Sequence, residues 1–323
     1  MSTLLRRFRR RVLTPNVSET ELATRGFHDK SPAARELIET VGRMFLTGYA
    51  HAMESRSAAE AEARLETLPT FFRGFAYEGA AMGYAVLDGL PWGGGNVERF
   101  LAGRGGEHVY MAYIGVGWAM ARVPRFRWPR MLPPDPLLRW LVLDGYGFHQ
   151  AYFHTRRYVH EQFREPRFPW PSNAPHPYAD NAIDQGIGRA LWFVGGTDAA
   201  RVADLIDAFP AARRADLFSG AGLAATYLGG VDEAELRLFA ERAGQHRPQV
   251  AQGAAFAAEA RVRAGLVVEH TGVATRVFCA ADPDGAADVS RAARPAPSTS
   301  EAVPAFETWR RRIAEEFVSL GRS

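Results

Sequence analysis

Apolar residues in this chain fall in two alternating kinds of segment. One kind is a mostly apolar run with a glycine inside it: Gly48 in "FLTGYAHA", Gly79 in "AYEGAAMGYA", Gly115 in "YIGVGWAMA", Gly145 in "LDGYGFHQA", Gly186 in "DQGIGRAL", Gly220 in "FSGAGLAA" and Gly253 in "AQGAAFAA". Successive glycines stand 31, 36, 30, 41, 34 and 33 residues apart. Two places further on the residue is small every time: Ala50, Ala81, Gly117, Gly147, Gly188, Gly222 and Ala255. The other kind is more polar, with apolar residues at three- and four-residue steps, as in "SAAEAEARLETL" (57–68), "DAARVADLIDAF" (198–209) and "DEAELRLFAERAG" (232–244). That spacing is helical, and Ser57, Asp198 and Asp232 stand where N-caps are needed. Pro210, Pro248, Gly229, Gly230 and Gly244 mark the joints.

The pattern predicts an all-α protein built from helix–turn–helix units of about 34 residues, the size of a tetratricopeptide-type unit. Such units stack into a superhelix with a concave face, or close into an α/α toroid. The tetratricopeptide consensus itself is absent, so the expectation concerns architecture. A glycine inside a helix costs about 1 kcal/mol relative to alanine, and close approach of neighbouring helices is the compensation expected here. A phosphate-cradling loop would instead need a preceding strand and a third glycine or a Lys-Ser/Thr pair. None of the seven glycines has that setting, and "GGG" at 93–95 and "GRGG" at 103–106 read as flexible linker. The expected organisation is a basic, mobile N-terminal arm (1–30), a helical-repeat domain (31–280), a linker (281–303) and an amphipathic C-terminal helix (304–323). In that last helix Phe306, Trp309, Ile313 and Phe317 recur at helical steps, either to cap the last repeat or to dock a partner.

Composition narrows the picture further. With 323 residues, 47% of them hydrophobic and 23% charged, the chain can bury a sizeable core. The net charge of +3 comes from 39 basic and 36 acidic residues, and Lys30 is the only lysine. The basic residues are scattered, so no nucleic-acid partner is expected. The main cluster, Arg6 to Arg11, is either a solvated tail or a weak contact for an anionic membrane surface. Cys279 is the only cysteine, which excludes an intrachain disulfide and fits a reducing compartment. No signal-peptide core and no apolar run of about 18 residues occurs, so the expected address is cytoplasmic, with no membrane span.

The residue before each repeating glycine is Thr47, Glu78, Ile114, Asp144, Gln185, Ser219 or Gln252, polar in every case but one. Equivalent positions in stacked units line up, so these side chains either line a groove or hydrogen-bond the neighbouring helix. On the first reading Glu78 and Asp144 are acid/base candidates, with His149 as a proton-transfer group. Gln185, Arg189, Ser219, Gln252, Trp118 and Trp192 are then the candidate substrate contacts. His149, His154 and His160 follow one another at steps of five and six and share no helix face, so no metal site is expected from them, and no cofactor fingerprint is present. Two proline-aromatic segments, 122–136 and 163–186, are either lids over a pocket mouth or surface linkers with their aromatic rings tucked in.

The strings "FFRGFAYEGAAMGYAVLDGL", "LVLDGYGFHQAYFH", "DQGIGRALWFVGG" and "FSGAGLAATYLGG" resemble those of an uncharacterised bacterial family encoded beside enediyne polyketide synthases, over roughly residues 30–270. The resemblance implies a part in making or maturing the enediyne core from a hydrophobic polyketide polyene, alongside other biosynthetic enzymes of the same cluster. It carries over no reaction. Two readings follow: an enzyme acting on a bound polyene through Glu78, Asp144 and His149, or a non-catalytic helical scaffold that holds the intermediate or docks partner enzymes.

Overall fold

The structure is a computed structural model that describes residues 3–91, 93–170, 176–296 and 303–320. Every regular element among the described residues is a helix. The chain divides into two compact units, the first comprising residues 1–26 and 35–146, the second residues 27–34 and 147–323.

The first unit contains α1 (Thr3–Leu13), α2 (Leu22–Arg25), nearly all of α3 (Pro32–Glu54), α4 (Ala58–Leu65), α5 (Thr70–Gly89), α6 (Asn96–Leu101), α7 (Val109–Met120) and α8 (Trp140–Phe153) as far as Tyr146. The second contains α8 from Gly147 onward, α9 (Ala179–Val194), α10 (Ala199–Asp207), α11 (Ala211–Leu228), α12 (Glu233–Ala243), α13 (Arg247–Arg263), α14 (Glu269–Cys279), α15 (Pro283–Ala293) and α16 (Ala305–Leu320). All three expected caps form: the side chains of Ser57, Asp198 and Asp232 accept from the amides of Glu60, Arg201 and Glu235, the last as a full capping box.

Within each unit the long apolar helices meet through their glycines. One glycine faces the preceding helix: Gly79 lies on the carbonyl of Phe45, Gly115 on Glu78, Gly145 on Ile114, Gly220 on Gln185 and Gly253 on Ser219. A glycine two positions on faces the following helix: Gly117 lies on the carbonyl of Val142, Gly147 on Ile183, Gly188 on Leu217 and Gly222 on Val250. A methyl group at any of these positions would overlap a backbone oxygen, so only glycine permits this backbone-to-backbone approach, in which Cα–H groups meet carbonyls. Gly48 lies on Ala76 and so plays the second role. Leu46 holds the first position in α3, and aligning the chain on Gly48 misplaces that helix by two residues.

Three expected loops contain helix. Residues 93–106, read as flexible linker, carry α6 and a 3-10 turn, because the Asp88 carboxylate accepts from the amides of Asn96 and Val97 at 2.9 and 3.0 Å and starts the helix. Much of the expected 281–303 linker is α15, started by the Asp282 cap and Pro283 in its first turn, with Ala286, Ala287 and Ser290 buried. Residues 297–302 of that linker lie outside the described residues. The expected arm at 1–30 carries α1 and α2, and Arg9 and Arg10 bond to the Met53 carbonyl and the Glu54 carboxylate. Its last residues belong to the second unit, where Lys30 pairs with Glu235 at 2.5 Å. The amphipathic C-terminal helix is present as α16, with Phe306, Trp309, Ile313 and Phe317 all buried.

Candidate functional site

In the second unit the end of α8 and the facing turn of α9 build a continuous aromatic wall. Phe148 stacks on Tyr152 at 5.8 Å between ring centres and meets Phe193 edge-on at 5.1 Å. Phe27 meets Tyr152 edge-on at 4.9 Å, and Phe153 joins at 5.0 Å. His149 lies 4.6 Å from Phe153, and the Arg189 guanidinium sits over Phe148 at 5.1 Å. The helical register explains the assembly, since Phe148 and Tyr152 lie four residues apart on one face of α8, as Arg189 and Phe193 do on α9. All of these side chains but the half-buried Phe153 are buried, so the wall is a packed cluster in the second unit that holds apolar rings, a guanidinium over Phe148 and an imidazole against Phe153. Two of the expected site residues belong to this cluster, His149 against Phe153 and Arg189 over Phe148; Phe27 and Phe193 were not legible as part of it because their contacts are long-range.

Two other expected contacts meet elsewhere in the same unit. The Ser219 hydroxyl donates to Gln252 Oε1 at 2.7 Å, and the same oxygen accepts from Arg310 Nε at 3.2 Å. Ser219 of α11 and Gln252 of α13 are therefore adjacent, and their polar groups bond to each other and to α16. Arg310 also donates to the Tyr178 hydroxyl at 2.9 Å and to Asp216 at 2.7 Å, and Asn181 donates to the other Asp216 oxygen at 2.8 Å. Burial pushes the Asp216 carboxyl up, with Arg310 pulling the other way, and burial raises the Tyr178 phenol well above its usual range. Beside this network Asp184 takes a two-pronged ion pair from Arg213, at 2.6 and 3.0 Å, and a further contact from Arg164. Ser219 and Gln252 thus join α11, α13 and α16. The Trp192 indole donates to the Gly229 carbonyl at 2.9 Å, and its ring meets Phe239 edge-on. Gln185 is fully buried, and its carbonyl receives Gly220.

In the first unit Glu78 and Asp144 are both buried, on α5 and α8, and Trp118 packs against Phe45 in a tilted arrangement, 4.6 Å between ring centres. On α8 the five-residue step from Asp144 to His149 turns the two side chains by roughly 140°, so they leave the helix on different sides. His108 is a buried residue the sequence did not single out. Its ring stacks on Tyr77 at 3.6 Å, and burial, with Arg73 and Arg104 nearby, holds its pKa down at about 3. The proline-aromatic segments tuck most of their rings inward: Trp128, Phe168, Trp170 and Tyr178 are buried, while residues 171–175 lie outside the described residues. Among the described residues no cluster of His, Cys, Asp and Glu has the makings of a metal site, and no helix is long and apolar enough to cross a membrane.

These features define an all-helical protein with glycine-mediated helix contacts, an aromatic wall and buried polar ties. The chain belongs to the family described as protein of unknown function, DUF1702, whose model matches residues 4–317. Among curated proteins and among solved structures, nothing matches it.

Proposed function

We propose that the protein binds an extended, conjugated polyketide chain during formation or maturation of an enediyne core, on a scaffold of stacked helical hairpins that forms a superhelix or closed toroid. The recurrence of one glycine-to-carbonyl contact from helix to helix supports the stacked arrangement. The observation that carries the ligand class is the aromatic wall with Arg189 over Phe148. A linear polyene acid is an apolar π-rod with one polar end; aromatic faces take the rod, and a guanidinium takes a carboxylate or polarises a thioester carbonyl.

His149 is the acid/base candidate at the wall should the bound chain react there, and Glu78 and Asp144 are the acid/base candidates within the first unit. Deleting the gene and following the polyketide products by mass spectrometry tests the pathway: a free polyene should accumulate, and an unchanged product profile would contradict the reading. Restoring the gene with Asp144→Asn or Glu78→Gln separates catalysis from holding. Loss of product with an unchanged melting curve means catalysis, whereas normal product leaves the protein a scaffold that holds the intermediate or docks partner enzymes.

A further inference from the structure

One end of the first unit combines exposed apolar side chains with clustered arginines. Residues 121–134 contain Arg122, Arg125, Arg127 and Arg130 and no acidic residue. The segment is firmly fastened. The buried Trp128 indole donates to the Met120 carbonyl at 3.0 Å, Val123 and Met131 lie against Gly89, and Arg130 donates to the Pro91 carbonyl at 3.2 Å. It therefore covers the C-terminal ends of α5 and α7 while holding Phe126 out, 76% exposed, with the Arg127 guanidinium 5.1 Å from its ring. Leu90, at the end of α5, is also exposed.

The second basic cluster reaches the same end. Phe45 meets Gly79 and Tyr49 approaches Gly83, while Glu78 meets Gly115, so α3, α5 and α7 run parallel and their C-terminal ends lie together. Arg9 and Arg10 of α1 bind at the end of α3, on Met53 and Glu54, and Arg11 and Val12 beside them are exposed. Cations at helix C-termini are favourable in their own right, which accounts for Arg9 and Arg130. It does not account for an aromatic ring held in water between two arginines.

We propose that this face docks on an anionic phospholipid surface, with Phe126 and Leu90 entering the headgroup boundary and the arginines of 122–130 facing the lipid phosphates. Charge complementarity selects the anionic surface, and each arginine near it strengthens binding roughly fivefold. The apolar tips select lipid over a nucleic acid, whose backbone offers them nothing to enter.

The test is flotation of the full chain with phosphatidylcholine vesicles, with and without phosphatidylglycerol, at low and at physiological ionic strength. The protein should float only with phosphatidylglycerol and less at higher salt. Phe126→Ser should weaken binding about tenfold or more, and Arg125→Gln with Arg127→Gln should do so by a similar factor, all with unchanged melting temperatures since these side chains lie at the surface. Failure of the wild type to float with phosphatidylglycerol vesicles overturns the proposal. So does flotation of Phe126→Ser as complete as the wild type's. Tight binding of a single-stranded oligonucleotide that strips the protein from vesicles would assign the face to nucleic acid instead.

Discussion

Two buried carboxylates of the first unit and three of the second keep different company. In the first, Asp88 faces the amides that open α6, and Glu62 accepts from the Gly105 amide at 3.2 Å, so neutral backbone donors balance the charge locally. In the second, buried carboxylates meet arginines from other helices: Asp184 meets Arg213, Asp216 meets Arg310, and Glu259 meets Arg291 at 2.9 Å. Backbone donors fix the start of a helix, whereas an arginine drawn from elsewhere fixes which helix packs on which. The arginine pairs tie α9 to α11, α11 to α16 and α13 to α15 in this way. Both units nevertheless rely on the same glycine contact, so the shared feature and the differing one can be broken separately.

Breaking the shared feature has the largest expected effect. Gly145→Val in the first unit and Gly220→Val in the second should each destabilise by several kcal/mol, beyond the typical 1 to 3 kcal/mol of overpacking (order of magnitude), because the clash is with backbone. Thermal melting checks this, and a small effect in one unit only would show that the contact is not equivalent in the two. Breaking the differing feature comes next. Arg213→Ala leaves the Asp184 charge buried and short of its two-pronged partner and should cost about 3 to 5 kcal/mol; Asp184→Asn combined with Arg213→Met should recover much of that loss in denaturant titration.

The first unit should have its own acid sensitivity. An ordinary histidine takes up a proton near pH 6.5, but burial holds His108 at about 3. As pH falls through that window the unfolded chain gains a proton there that the folded chain does not, so stability is lost progressively below about pH 6.5 and is fully present above it. His108→Phe should flatten the difference in melting temperature between pH 7 and pH 4 (order-of-magnitude window from the same linkage); an unchanged acid limb would remove His108 from the account. The smallest effect belongs to Ser219→Ala. Loss of its bond to Gln252 should cost about 1 kcal/mol and leave ligand binding intact, whereas lost binding in a stable variant would restore Ser219 as a ligand contact.

What was legible in the sequence was local. Ser57, Asp198 and Asp232 cap helices a residue away, and the α16 stripe needs only one helical period. Glycine spacing exposed the helix contacts except in α3, where Leu46 hides the first position. α15 was illegible because it lies in a stretch, 281–303, rich in Ala, Pro, Ser and Asp, a composition shared by linkers, and its burial depends on α13. The aromatic wall was half legible: His149 and Arg189 stood out as polar groups in apolar runs, but Phe27 reaches Tyr152 from 125 residues away in sequence. The arginine partners of Asp184 and Asp216 were missed for the same reason, although a carboxylate inside an apolar helix always demands a partner.

Ligand titration decides whether the wall beside Arg189 holds a conjugated acid. Parinaric acid, a conjugated tetraene, quenches tryptophan emission by energy transfer when bound nearby. The wild type should show saturable quenching, with binding of the acid weakened on the order of ten- to a hundredfold in Arg189→Leu, partial recovery in Arg189→Lys, and little change for parinaric methyl ester in either folded variant. Absence of saturable quenching in the wild type, or equal affinity of the acid for wild type and Arg189→Leu, would contradict it.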